Sequence, residues 1–209
     1  MKKKVHLLVL DTLADWEPGL AIAHINRPAI GVESRYAVTT VGLDRKPART
    51  VGGLTILPDL ELRDLKPADS AMLILPGSDI WADSRVDPAL TLAREFVAAG
   101  VPVAAICGAT FGLARAGLLD DRRHTSNDPG FLASSGYRGG AHYANEPAVE
   151  DRGVITASAA ASLEFARAIL ARLEVFSAQA LAAWYGLYKT NDPACFHAWM
   201  AALKHDGAT

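Results

Sequence analysis

Cysteine is scarce: 209 residues contain two, Cys107 and Cys195. Two thiols make no disulfide framework, and free thiols fit a reducing compartment, so the cytoplasm is the expected location. An excess of one charge is missing too. Lys and Arg number 21 against 23 Asp and Glu, a formal net charge of -2, which provides no basic face for nucleic acid or an anionic membrane. Neither is expected as a partner. No apolar run is long enough to span a bilayer. The opening MKKKVHLLVLD has the lysines of a secretory leader, but its apolar run is short, stops at Asp11 and has no small-residue cleavage site. It reads as a first strand with a solvated basic lead. Internal repeats and low-complexity segments are absent. His6, His24, His197 and His205 follow no ligand spacing, so no metal is expected, and no cofactor.

What is present centres on residues 101–119, VPVAAICGATFGLARAGLL. A short β-branched run (Val101, Val103, Ile106) leads into Cys107-Gly108-Ala109 and then a helix-like stretch, Thr110 to Leu119. A reactive side chain at the break between two buried elements is poorly placed for packing and well placed for chemistry, because the turn carries it out of the core. The small residues after it let the chain reverse closely and aim the next helix's N–H groups at the sulfur. A thiol at a helix N-terminus has a lowered pKa, and the thiolate is the nucleophile. Cys107 is therefore the candidate nucleophile, against the plainer reading of a small buried hydrophobe.

The remaining pattern predicts an α/β fold. Val5 to Leu10 and Ala71 to Leu75 are continuous apolar runs, the mark of strands buried on both faces. Arg35 to Leu43 reads as the second strand, and VGGLTILPDLEL as a short edge or hairpin segment. After the first strand, Asp15 is placed to cap a helix with Pro18 in its first turn, leaving Glu17, the residue before proline, in the turn itself. Asp87-Pro88 starts a helix to about Ala99, stopped by Gly100. Beyond residue 119, Arg123 to Ser126 suggests a short strand, Asp128-Pro129 a helix start, and Gly130 to Gly140 a loop. Glu150 to Ala157 reads as a strand pair and Ala159 to Val175 as a long helix. Alternating strands and helices give a mostly parallel sheet with helices on both faces, whose ligand lies beyond the carboxyl ends of the strands. Glu17, Gly77-Ser78 and Cys107 each follow a different strand at that end.

The ordered series VLDTLADWE, LTILPDLEL, LILPGSDIW, AAICGAT, DRRHTSN and YANEPAVEDRGVITASAAASLEFARAILARL resembles the ThiJ/PfpI superfamily, of the class I glutamine amidotransferase-like fold that includes the Parkinsonism-associated deglycase-like proteins. The likeness covers roughly residues 3 to 175. It implies one domain over 1–209 with a three-layer flavodoxin-like sandwich, usually a homodimer, and with 176–209 a C-terminal helical extension. Residue by residue it implies Cys107 as nucleophile and Glu17 as the carboxyl group in contact with it. The backbone of Gly77 and Gly108, beside Ser78, would bind an oxyanion. A protonated glutamic acid can donate a hydrogen bond to a thiolate, and burial beside a negative sulfur favours keeping that proton.

The chain also departs from the family pattern. Protease-like members carry a histidine directly after the elbow cysteine, where this chain has Gly108. Glutaminase-type domains carry a late His-x-Glu pair; the nearest arrangement here, His142 with Glu146, has the wrong spacing. Deglycase-like members have a histidine after the elbow helix, and the matching position here is Asn127, a candidate binding residue. His124 lies three residues upstream, on the opposite face of an extended segment, and is kept as a candidate base. Asp79, Trp81 and Tyr143 are candidates to line the pocket. The tail reads as two helices split at Thr190-Asn191, with Cys195 structural. The expected function is a cysteine-dependent hydrolase or lyase acting on a small-molecule carbonyl or amide. The alternative is a sensor that uses oxidation of Cys107.

Overall fold

The computed structural model describes residues 2–206. Seven strands form the main sheet in the order β5-β2-β1-β6-β7-β9-β8. These are β1 (Lys3–Val9), β2 (Tyr36–Gly42), β5 (Leu60–Glu61), β6 (Met72–Leu75), β7 (Val103–Ile106), β8 (Ala148–Asp151) and β9 (Val154–Ala157). All pairs are parallel except β8 with β9, which are joined by the tight turn at Arg152 and Gly153, both at positive φ. Strands β3 (Ala48–Arg49) and β4 (Thr55–Ile56) form the separate hairpin foreseen around Gly52-Gly53.

Alternation along the central strands explains why each reads as a continuous apolar run. Val5, Leu7 and Val9 join Ile74 and Ile106 under α1 (Trp16–Asn26), α5 (Ser162–Arg172), α6 (Ala178–Thr190) and α7 (Pro193–Asp206). Leu8, Leu73, Leu75 and Ala105 face α2 (Asp87–Ala98) and α3 (Gly108–Arg115) on the other side. With period two, both faces must be apolar when both are covered. The result is the three-layer α/β, flavodoxin-like sandwich. Among the described residues no helix is long and apolar enough to cross a membrane.

Several boundaries differ from the expectation. Helix α3 stops at Arg115, because the chain turns at Ala116 and Gly117 adopts φ 72°. Helix α5 begins only at Ser162. No strand forms at 123–126; a single bridge pairs His124 with Tyr143. The stretch expected as a loop from Gly130 opens with the short helix α4 (Pro129–Ala133), whose first N–H groups are capped by Asp128 Oδ1. Asp15 occupies the N-cap position of α1 but, at helical φ -56° and ψ -37°, does not cap it; its carboxylate accepts the Gly52 N–H at 2.6 Å instead. Glu17 sits inside α1 rather than in the turn before it. Pro18 in the first helical turn forfeits only an N–H that would lack an intrahelical acceptor.

Candidate active site

Strands β1, β6, β7 and β9 are adjacent at the centre of the sheet, so the segments leaving their carboxyl ends converge. Cys107 leaves β7 at φ 57°, ψ -124°. This conformation is uncommon for a residue with a side chain, and positions of this kind cost on the order of 1–3 kcal/mol. The surroundings hold it there. The Cys107 N–H donates to Ala157 O at 3.0 Å. Its carbonyl accepts from the Thr110 hydroxyl at 2.6 Å, and Thr110 Oγ1 lies 2.6 Å from Ser126 Oγ. The Thr110–Ser126 pair is fully buried and ties the elbow to the segment that carries Asn127. Thr110 escaped the sequence reading, although a hydroxyl three residues into a helix is well spaced to reach back to the carbonyl before it.

The structure brings together Glu17, Gly77, Ser78, Cys107, Gly108 and Asn127. The Glu17 side chain is fully buried, and its Oε2 accepts the Gly77 N–H at 2.5 Å. That bond corrects one expectation: the Gly77 amide is engaged by Glu17 and is not offered to a ligand. A Cβ on Gly77 would stand 2.6 and 2.8 Å from the two Glu17 carboxyl oxygens and 2.9 Å from Cys107 Cβ. Carboxyl and cysteine thus pack around the one position where no side chain intervenes. Ser78, the next residue, has an N–H with no acceptor among the described residues and lines the cleft with Gly108. Ser78 Oγ donates to Asp11 O at 2.6 Å.

Asn127 supplies a side-chain donor to the sulfur. Its Oδ1 accepts the Ala159 N–H at 2.8 Å, which orients the amide, and Nδ2 donates to Cys107 Sγ at 3.4 Å. His124 does not reach the sulfur. It is fully buried, with Nδ1 2.7 Å from Arg122 O and Nε2 3.2 Å from the Tyr137 hydroxyl. The rings of Tyr137 and Tyr143 pack edge-to-face with it, at centroid distances of 5.4 and 5.8 Å. The three-residue offset from Asn127 puts it in the packing layer, so it is no base for Cys107. Tyr143 is likewise spent on packing, its hydroxyl bonded to Ser126 O, and does not line the cleft, whereas Asp79 and Trp81 do. His142 is exposed. Cys195 packs where α6 and α7 approach, its Sγ 2.8 Å from where a Cβ on Gly186 would be.

Electrostatics at the pair run against the expected low thiol pKa. Burial pushes the Cys107 thiol up and the Glu17 charge adds to this, while the Asn127 amide and the Gly108 N–H pull the other way. Burial raises Glu17 as well, opposed by the Gly77 N–H and the thiol. The helix N-terminus is therefore outweighed by desolvation and a neighbouring carboxyl. The thiol is within electrostatic reach of that carboxyl, yet no hydrogen bond of ordinary geometry closes onto Oε1. Each of the two groups thus resists a negative charge beside the other.

A cleft of about 470 Å³ opens at the sulfur, lined by Cys107, Gly108, Ser78, Trp81, Phe111 and Phe131 among others. A larger groove of about 840 Å³, lined by Lys4, His6 and Ser70 among others, lies at the amino ends of the strands, remote from the sulfur. No group of three or more His, Cys, Asp or Glu side chains placed to hold a metal ion occurs among the described residues.

The sequence pattern of the DJ-1/PfpI family matches residues 3–172. A Bacillus subtilis protein named uncharacterized protease YoaZ is 39% identical over 205 residues, covering 96% of this chain and 98% of that protein. Uncharacterized protease YdeA of the same organism is 31% identical over 173 residues, covering 82% and 84%. Among solved structures, a thiJ/pfpI family protein from Bacillus anthracis superposes with a TM-score of 0.90 at 37% identity, over 97% of each chain. A DJ-1 superfamily protein from Agrobacterium tumefaciens gives 0.80 at 32%, over 91% of this chain and 99% of that one.

Proposed function

The chain belongs to the DJ-1/PfpI family, and from that premise we propose that it is a cysteine-dependent hydrolase or lyase acting on a small carbonyl or amide compound. The observation that carries this reading is the Glu17 carboxyl, sealed from solvent and packed against the elbow cysteine around Gly77. The thiol proton passes to the Glu17 carboxylate as the sulfur attacks the electrophilic carbon. The S–C bond forms and the carbonyl π pair moves to oxygen. That oxygen is held by the N–H groups of Gly108 and Ser78, in place of the Gly77 amide that Glu17 occupies. Glu17 then returns the proton to the alkoxide or leaving group, so the charge of the pair is restored. The raised Glu17 pKa makes its carboxylate a better acceptor for that proton, while the raised thiol pKa keeps the sulfur protonated until it attacks.

The space at Gly108 supports small-molecule over protease-type chemistry. A Cβ there would stand 2.8 Å from Ser78 O and 3.0 Å from Trp81 Cδ1, so this elbow has no room for a histidine directly after the cysteine. The test is turnover of methylglyoxal, small amides and peptides by purified protein beside Cys107→Ser. Turnover of a small compound, lost in the variant, is the expected result; no turnover of any of them sinks the reading. The family expectation of a homodimer is part of the proposal. Trp16, Val51, Leu54 and Leu57 each leave more than half their surface exposed, and a monomer by light scattering at micromolar concentration would remove that part.

Asn127 favours a second reading. It is a permanent donor and cannot act as a base, so the side chain facing the sulfur suits an anion more than the activation of water. A Cys107 thiolate that takes one oxygen from each of two peroxide molecules, releasing water each time, would end as a sulfinate held by the Asn127 amide and the Gly108 N–H. Selective peroxide oxidation of Cys107 without turnover would favour this sensor function.

A further inference from the structure

The cleft walls carry information about what enters. No Lys, Arg or His is among the residues that line it. The charged side chain that does is Asp79, exposed at the rim. Its backbone N–H is held by Thr12 Oγ1 at 2.9 Å, which fixes the residue. Its carboxylate has no hydrogen bond or ion pair among the described residues. Nearby cations are committed elsewhere: Arg85 to Asp83 and Arg115 to Asp87. An entering anion would meet the Asp79 carboxylate at the rim and no cation along the walls.

The opposite wall is apolar. Phe111 of α3 and Phe131 of α4 stand with ring centroids 5.3 Å apart and planes inclined at 39°, each half-buried at the cleft. Trp81 is 2% exposed, and its indole N–H is spent on Pro76 O at 2.8 Å, so it offers carbon only. The aromatic pair provides a surface on which a flat apolar group can lie.

We propose that this cleft selects uncharged carbonyl or amide compounds bearing an aromatic-sized apolar group and rejects those carrying a carboxylate or phosphate. Asp79 is the charge-selecting residue, and the Phe111–Phe131 pair is the binding wall. The inference rests on the reading of Cys107 as the reacting sulfur and adds the class of compound it meets.

Alkylation of Cys107 tests this without requiring turnover. Three reagents share one reaction, in which the S–C bond forms and iodide leaves: iodoacetamide (neutral), iodoacetate (anionic) and iodoacetanilide (neutral, aromatic). Rates at Cys107 are read by peptide mass spectrometry at fixed pH, which separates it from Cys195, and are normalised to 2-mercaptoethanol. After normalisation, iodoacetate should be slower than iodoacetamide by about tenfold, the size of like-charge repulsion across a partly screened cleft, and iodoacetanilide faster. Asp79→Asn should recover about three- to fivefold of the iodoacetate rate, Asp79→Lys more, and Phe131→Ala should abolish the iodoacetanilide advantage. Asp79 is exposed, so its variants put little at risk in folding. Normalised rates equal among the three reagents, or a pattern unchanged in the Asp79 variants, would overturn the proposal. If the alkylation pattern holds while neither phenylglyoxal nor glyoxylate is turned over, the enzymatic reading fails and the cleft's selectivity stands. Glyoxylate consumed as fast as phenylglyoxal would overturn the selectivity itself.

Discussion

Replacing Gly77 by alanine tests the packing on which the site depends. The added methyl would stand 2.6 and 2.8 Å from the Glu17 oxygens and 2.9 Å from Cys107 Cβ. None of these can yield easily, because Glu17 is fully buried in the first turn of α1 and Cys107 is held by backbone on both sides. Overpacking of this kind costs about 1–3 kcal/mol. Pushing the carboxyl away also breaks its 2.5 Å bond from the Gly77 N–H, and a buried bond to a charged group contributes about 1.5–3 kcal/mol. One displacement serves both losses, so they overlap, and about 2–4 kcal/mol is expected. In a chain of this size that lowers the melting temperature by about 4–16 °C. Urea denaturation of Gly77→Ala, Glu17→Ala and the double variant closes the cycle. In the double variant the new methyl occupies space the carboxyl has left, so the combined loss should be smaller than the sum of the two. Gly77→Ala within about 0.5 kcal/mol of the parent, or losses that simply add, would refute the shared packing of carboxyl and cysteine around position 77.

Thr110→Val removes the hydroxyl bonded to Cys107 O and leaves Ser126 Oγ without its buried partner, while that carbonyl keeps the Thr110 backbone N–H at 3.1 Å. A loss of about 1–3 kcal/mol in urea denaturation is expected, and a loss near zero would mean the elbow does not need this brace. Asn127→Ala takes away the side-chain donor that pulls the thiol pKa down, so the pH midpoint of Cys107 alkylation should move upward; a midpoint that stays or falls contradicts the assignment. His6 makes stability depend on pH. Ser70 Oγ donates to Met72 O and so accepts from His6 Nδ1–H, and burial lowers the imidazole pKa from 6.5 to about 4. Between those values the unfolded chain binds the extra proton and the folded one does not, so stability falls as pH drops from 6.5 toward 4, by up to about 3 kcal/mol from this residue. Stability compared at pH 7 and pH 4.5 should change less in His6→Gln than in the parent; an equal change would exclude His6 as the cause.

What could be read from the amino-acid order was whatever repeats locally. The apolar runs at Val5, Met72 and Val103 mark strands because both faces of each are covered, and Cys107-Gly108 marks the elbow because an apolar strand ends there and small residues follow. Glu17 was placed at the right end of the sheet, though inside its helix. What could not be read depends on segments far apart in the chain. The Gly77 amide is spent because α1 brings Glu17 to it across sixty residues. Asp15 gives its carboxylate not to its own helix but to a hairpin glycine thirty-seven residues away. The helix behind the sulfur argues for a low thiol pKa, and the opposite sign comes from the solvent excluded around it. Nothing near His124 in the chain announces that Tyr137 and Tyr143 pack over its ring.

Helix α1 is fastened at both ends. Glu17 anchors its first turn to Gly77, and in its last turn His24 Nε2 accepts the indole N–H of Trp184 from α6 at 3.0 Å. Eleven residues of helix make a rod about 16 Å long, and between the two fastenings Ala21 and Ile25 press it into the core. The tail therefore completes the seat of the helix that carries the carboxyl, although none of its residues lines the cleft.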